Sequence, residues 1–155
     1  MTVARGGRDA GVLRVIILAD DLIWATRLVG QLRTLGADPV RVGSADAFAT
    51  ALAAPVPAGP EGLRPTHAVV DLTARAYDGL AAVRLAAGAG LRVLCVGQHD
   101  DRAQRRAALA AGAERVFAYR KLFEDGHATL GAWLGVPAPA ASSLTAPQSS
   151  EVPTR

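Results

Sequence analysis

Val15-Ile16-Ile17-Leu18-Ala19-Asp20-Asp21 and His67-Ala68-Val69-Val70-Asp71-Leu72 are the two stretches whose reading decides the fold. Each is a short apolar run without alternation, closed by a carboxylate. A strand apolar on both faces belongs to a parallel sheet covered by helices, not to a sheet with one wet side. Leu91 to Val96 repeats the pattern, and Val40-Arg41-Val42 and Arg115 to Tyr119 are shorter versions of it. The first strand is expected to end at Asp20, and His67 to lie in the loop that opens the third.

Helical segments separate these runs. Leu22, Ile23, Leu28, Val29, Leu32 and Leu35 recur near a 3.6-residue period, and Gly36 supplies a left-handed stop. Ser44 reads as the N-cap of a second helix through Leu52, ended by Pro55, Pro57 and Pro60. Leu80 to Ala87 and Ala103 to Ala111 give two more, the latter ended by Gly112, and a short last helix is expected from Glu124 to Leu134. Five βα units in alternation predict an α/β fold: a doubly wound five-stranded parallel sheet between two helical layers, with right-handed crossovers. Residues 1–12 read as a flexible leader, 13–135 as the domain, and 136–155 as a disordered Pro/Ala/Ser-rich tail. The Pro/Gly stretch 55–65 is the expected site of local mobility.

Composition narrows the function classes. At 155 residues the chain is one domain's worth. Aromatic residues are only 5% of the chain, too few for stacking platforms on single-stranded nucleic acid. The net charge of +3 comes from cations spread along the chain, all arginine except Lys121, which reads as solvated surface and not a nucleic-acid or membrane patch. The lone Cys95 sits in an apolar strand as a small core residue, and no disulfide can form within the chain. With no apolar window long enough for a membrane span and no signal-peptide pattern, a cytoplasmic location is expected.

In an open parallel sheet the ligand crevice lies at the carboxyl ends of the strands. That rule selects Asp20 and Asp21, Asp71, Gly97 with Gln98 and His99, and Tyr119 with Arg120 and Lys121. Three converging carboxylates repel one another unless a hard divalent cation or a basic partner neutralises them, which suggests a magnesium site. Taken singly, Asp20-Asp21 reads equally well as an N-cap. Trp24 reads as core or interface packing, and His99 and His127 as surface.

Over about residues 13–134 the chain resembles the receiver domain of two-component response regulators, a CheY-like, flavodoxin-like fold. The resemblance is carried by Ala19-Asp20-Asp21, by Val69-Val70-Asp71-Leu72, by Asp78-Gly79, and by Ala111-Gly112-Ala113. It implies a bacterial phosphorelay in which Asp71 accepts a phosphoryl group, and in which Asp20, Asp21, Asp71 and the Thr73 backbone carbonyl hold Mg2+. The partner would be a histidine kinase or a downstream effector, and homodimers through the fourth helix and fifth strand, near Arg102, Arg105 and Arg106, are also implied.

Two switch positions depart from the pattern. Gly97 stands where the family has a hydroxyl residue, and Tyr119 where it has a lysine followed by proline. Arg75 also replaces a common proline. The cations that could substitute are Arg120 and Lys121, the latter expected on the Tyr119 face of the strand, about 6 to 7 Å farther along. The expectation is a stand-alone pseudo-receiver that acts by protein contact and not as an enzyme. Its alternatives are an active regulator phosphorylated on Asp71 with Mg2+, and a small-molecule or nucleotide binder on the same scaffold. The acidic turn after the first strand, which would repel a phosphate, weighs against that binder.

Overall fold

A computed structural model describes residues 12–53 and 64–136 of the chain. The leader, the Pro/Gly stretch and all but the first residue of the tail lie outside these described residues, apart from Val12, Arg64 and Pro65 at their margins. The elements run β1 (Arg14–Leu18), α1 (Leu22–Thr34), β2 (Asp38–Val42), α2 (Ala45–Ala53), β3 (Pro65–Asp71), α3 (Gly79–Gly88), β4 (Arg92–Gly97), α4 (Arg102–Ala111), β5 (Arg115–Ala118) and α5 (Tyr119–Leu134). All four strand pairings are parallel, in the order β2-β1-β3-β4-β5. The order reverses between β1 and β3, so the crevice opens at their carboxyl ends.

The apolar strands bury both faces, as their composition demands. Val15, Ile17, Val69, Leu94 and Val96 pack against α1 and α5 through Leu28, Leu32, Leu130 and Trp133. Ile16, Leu18, Val70, Val93 and Cys95 pack against α2, α3 and α4 through Phe48, Val83 and Ala108. Each large aliphatic side chain so buried contributes about 1.5–3 kcal/mol. Burial also pushes the Cys95 thiol up to about 12, which keeps it an inert core residue.

Capping chemistry sets the helix starts. Asp21, Asp78 and Asp101 are the N-caps of α1, α3 and α4, and the Ser44 hydroxyl accepts from the Ala47 amide at 3.2 Å. Gly112 ends α4 at φ 118°, and a Cβ there would come within 2.6 Å of the Ala87 Cβ, so both backbone and packing require glycine. Pro39 is accommodated because β2 is an edge strand.

Several expectations need correction. β1 stops at Leu18, which leaves Asp20 and Asp21 in the turn. His67 lies inside β3 and is buried, its ring edge-to-face on Trp133 at 4.8 Å. The fifth strand ends at Ala118, and the last helix begins five residues early at Tyr119, kinking at Asp125 (φ −124°, ψ 24°). Without a proline at 120, the segment winds helically at once, and Arg120 and Lys121 face Glu124 and Asp125 one turn on. Lys121 therefore sits on a helical turn and not along the strand face of Tyr119.

Candidate functional site

Register brings the strand tips level. Leu18 pairs with Val70, Asp71 with Val96, and Gly97 with Ala118, so Asp20, Asp71, Gly97 and Tyr119 gather at one edge. At its centre Asp71 is only 1% exposed. Its Oδ1 accepts from the Thr73 amide at 2.9 Å, from the Thr73 hydroxyl at 2.8 Å and from the Tyr119 hydroxyl. The Thr73 and Tyr119 oxygens are themselves 2.6 Å apart, so three mutually close oxygens share two hydroxyl protons. Trp24 braces the Tyr119 ring edge-to-face at 5.2 Å. Burial, then the hydrogen bond to Asp71, raises the Tyr119 phenol above its ordinary range, so it remains a neutral donor.

The remaining acids are arranged differently. Asp21 Oδ1 accepts from the amides of Ile23 at 2.9 Å and Trp24 at 3.1 Å, closing the first turn of α1. Asp20 is exposed. Tyr77 straps the tips of β1 and β3: its hydroxyl lies 3.0 Å from the Leu18 carbonyl and 2.9 Å from the Asp71 carbonyl. Burial and then the charges of Asp71 and Asp20 raise its phenol, while Asp71 and Asp21 both act on Tyr119. The charges of Asp20 and Asp71 are thus both felt at Tyr77, and those of Asp21 and Asp71 at Tyr119.

Arg41 lies near this edge and ties its backbone, its Nε and Nη2 donating to the Ala19 carbonyl at 3.2 and 3.0 Å. Among the described residues no three His, Cys, Asp or Glu side chains are grouped to hold one metal ion. Asp21 gives its Oδ1 to the helix and Asp71 its Oδ1 to Thr73 and Tyr119, so the second oxygen of each carboxylate is the one left for a magnesium ion to meet. Thr73, expected to act through its carbonyl, meets Asp71 through its amide and hydroxyl.

The β4 and β5 tips have their own arrangement. The space that a side chain at Gly97 would take is filled by Gln104 of α4, whose Oε1 would lie 3.1 Å from a Cβ there. The Gln104 Nε2 donates to the Leu72 carbonyl at 3.1 Å. Arg120 and Lys121 line a cleft of about 450 Å³ with Gly97, His99 and Tyr119, but their charges engage Glu124 at 2.7 Å and Asp125 at 2.8 Å. Neither cation reaches Asp71. Tyr77, Arg41 and Gln104 went unread in the sequence. Tyr77 carried a weak signal, a hydroxyl-bearing aromatic just before Asp78-Gly79; the other two act across elements and leave no local pattern.

Neither a family model nor a curated protein sequence matches the chain. Among solved structures, a response regulator receiver protein from Burkholderia phymatum is 30% identical, with 82% of this chain and 98% of that one covered at a TM-score of 0.65. The chain belongs to the response regulator receiver family. Two-component and CheY-like receivers from Clostridium difficile and Methanospirillum hungatei share its fold at lower identity. The first is 13% identical, with 79% of this chain and 96% of that one covered at a TM-score of 0.65. The second is 16% identical, with 82% and 100% covered at 0.60. In this receiver domain the aspartate expected to take a phosphoryl group is therefore enclosed by a tyrosine where a lysine was expected. None of the helices in the described residues is long and apolar enough to cross a membrane.

Proposed function

We propose that this receiver domain is a pseudo-receiver, a signalling module that acts by contact with a protein partner, independently of phosphorylation and of magnesium. The observation that carries the reading is the Tyr119 hydroxyl on Asp71 Oδ1. A carboxylate attacks phosphorus when it is open to an in-line donor and when cations screen the incoming charge. Here the carboxylate is buried, its Oδ1 is taken by three donors, and the residue beside it is a neutral phenol. Arg120 and Lys121, the cations nearest in sequence, are paired elsewhere.

The active-regulator reading is favoured by one observation: Asp20 stays exposed at the strand tips, and its charge acts on the same Tyr77 as that of Asp71. Acetyl phosphate with Mg2+, followed by intact mass measurement, separates the two. The pseudo-receiver reading expects no added phosphoryl group. A gain of one phosphoryl group that Asp71→Ala abolishes would replace it with the active regulator.

A further inference from the structure

The posture of α4 raises a question that lies beyond the pseudo-receiver reading and is independent of whether Asp71 is ever modified. This helix has ten residues, and only Ala108 among them is buried. A helix so short is marginal alone, and one buried alanine adds little apolar hold. Ala111 adds partly buried packing on the same core, and polar tethers add to that hold. Two reach from its side chains to neighbouring strands: Gln104 Nε2 to the Leu72 carbonyl at 3.1 Å, and Arg105 Nη1 to the Val116 carbonyl at 3.0 Å.

Gln104 is the better placed of the two. The Asp101 carboxylate caps its amide at 2.9 Å, so the residue sits in the first turn with its backbone fixed. Its side chain crosses to the residue immediately after Asp71, and Leu72 is itself tied to β4 by its amide on the Val96 carbonyl at 2.9 Å. Its Oε1 occupies the space beside Gly97, where a Cβ would lie at 3.1 Å, closer than ordinary van der Waals contact. The other neighbours of that Cβ, Leu72 Cδ1 at 3.8 Å and Cβ at 3.9 Å, would tolerate it. Gln104 is thus the one neighbour that would have to give way, by a few tenths of an ångström, if residue 97 carried a Cβ.

We propose that Gln104 is a clasp that fixes α4 on the β3–β4 tips, and that Gly97 is glycine in order to admit it. The pair acts as a unit: the amide supplies the tether and the missing side chain supplies its seat. What the clasp sets is the presentation of the exposed Arg102, Arg106 and Leu109 on the outer side of α4.

Native-state hydrogen exchange on the full chain tests it, comparing Gln104→Ala, Gln104→Glu, Gly97→Ala and the double variant Gly97→Ala/Gln104→Ala with the unmodified protein. The clasp expects the α4 amides to exchange about fivefold faster in each single variant, the effect of losing one neutral hydrogen bond, with β1 and β3 amides unchanged. It expects the double variant to be no faster than Gln104→Ala, because the second change removes nothing further. Unchanged α4 exchange in Gln104→Ala or Gly97→Ala, Gln104→Glu behaving as the unmodified chain, additive effects in the double variant, or acceleration spread over every element would each overturn it.

Discussion

The tips of β1 and β3 carry the residue types expected of a phosphoryl site, whereas the tips of β4 and β5 carry others than expected, and one of these, Tyr119, bonds the carboxylate at the centre. Asp21 and Asp71 are carboxylates in the expected places, yet one closes the first turn of α1 and the other is the acceptor for Thr73 and Tyr119. Across the edge, Gly97 and Tyr119 stand where a hydroxyl and a charge were expected. The space beside Gly97 is filled by Gln104, and in place of the charge is a neutral donor braced on Trp24. What a carboxylate can attack or ligate depends on which of its lone pairs are free, and for Asp71 Oδ1 the partners are Thr73 and, from another element, Tyr119.

The sharpest way to break this contrast is Asp71→Ala. If Asp71 is the hub of a satisfied buried network, its removal orphans the Thr73 amide and leaves the Thr73 and Tyr119 hydroxyls only each other, and urea unfolding is expected to show a loss of about 3 kcal/mol. A gain in stability would instead mark Asp71 as a repelled carboxylate held for function. The two neighbouring acids separate next. Asp21→Ala is expected to cost about 1 kcal/mol as a lost helix cap, while Asp20→Ala, on an exposed side chain, is expected to stay within about 0.5 kcal/mol by the same unfolding measurement.

The smallest effect lies at the opposite end of the sheet. Burial, and then the Arg92 charge, lower the His67 imidazole below 6.5, with Glu114 opposing, so the unfolded chain binds the proton more readily than the folded one. Stability is then fully present above about pH 6.5 and falls as the pH drops below it. Chemical denaturation between pH 7.5 and 5 is expected to show that slope, and His67→Gln to flatten it.

Most of the fold was legible because it rests on local signals. Apolar runs ending at Leu18 and Asp71 announced buried parallel strands, and Asp21, Ser44 and Gly112 marked helix ends by chemistry that acts within four residues. The start of α5 was misread because Arg115 to Tyr119 has strand composition, while the pairs from Arg120 to Glu124 and from Lys121 to Asp125 wind the chain from Tyr119 onward. That Asp20, Asp71, Gly97 and Tyr119 lie together at the strand tips was legible too, and how their side chains bond was not. That Tyr119 turns inward onto Asp71 depends on a contact 48 residues apart in sequence, and the seat of Gln104 beside Gly97 on the approach of α4 to β4. Such contacts are set by packing and have no periodicity to read.

The most direct measurement is a crystal structure grown with Mg2+ and beryllofluoride, a mimic of an aspartyl phosphoryl group. A pseudo-receiver closed by Tyr119 is expected to keep that hydroxyl on Asp71 Oδ1 and to carry no beryllium at the carboxylate. A beryllofluoride adduct on Asp71, with magnesium between it and Asp20 or Asp21 and with Tyr119 swung out, would contradict it.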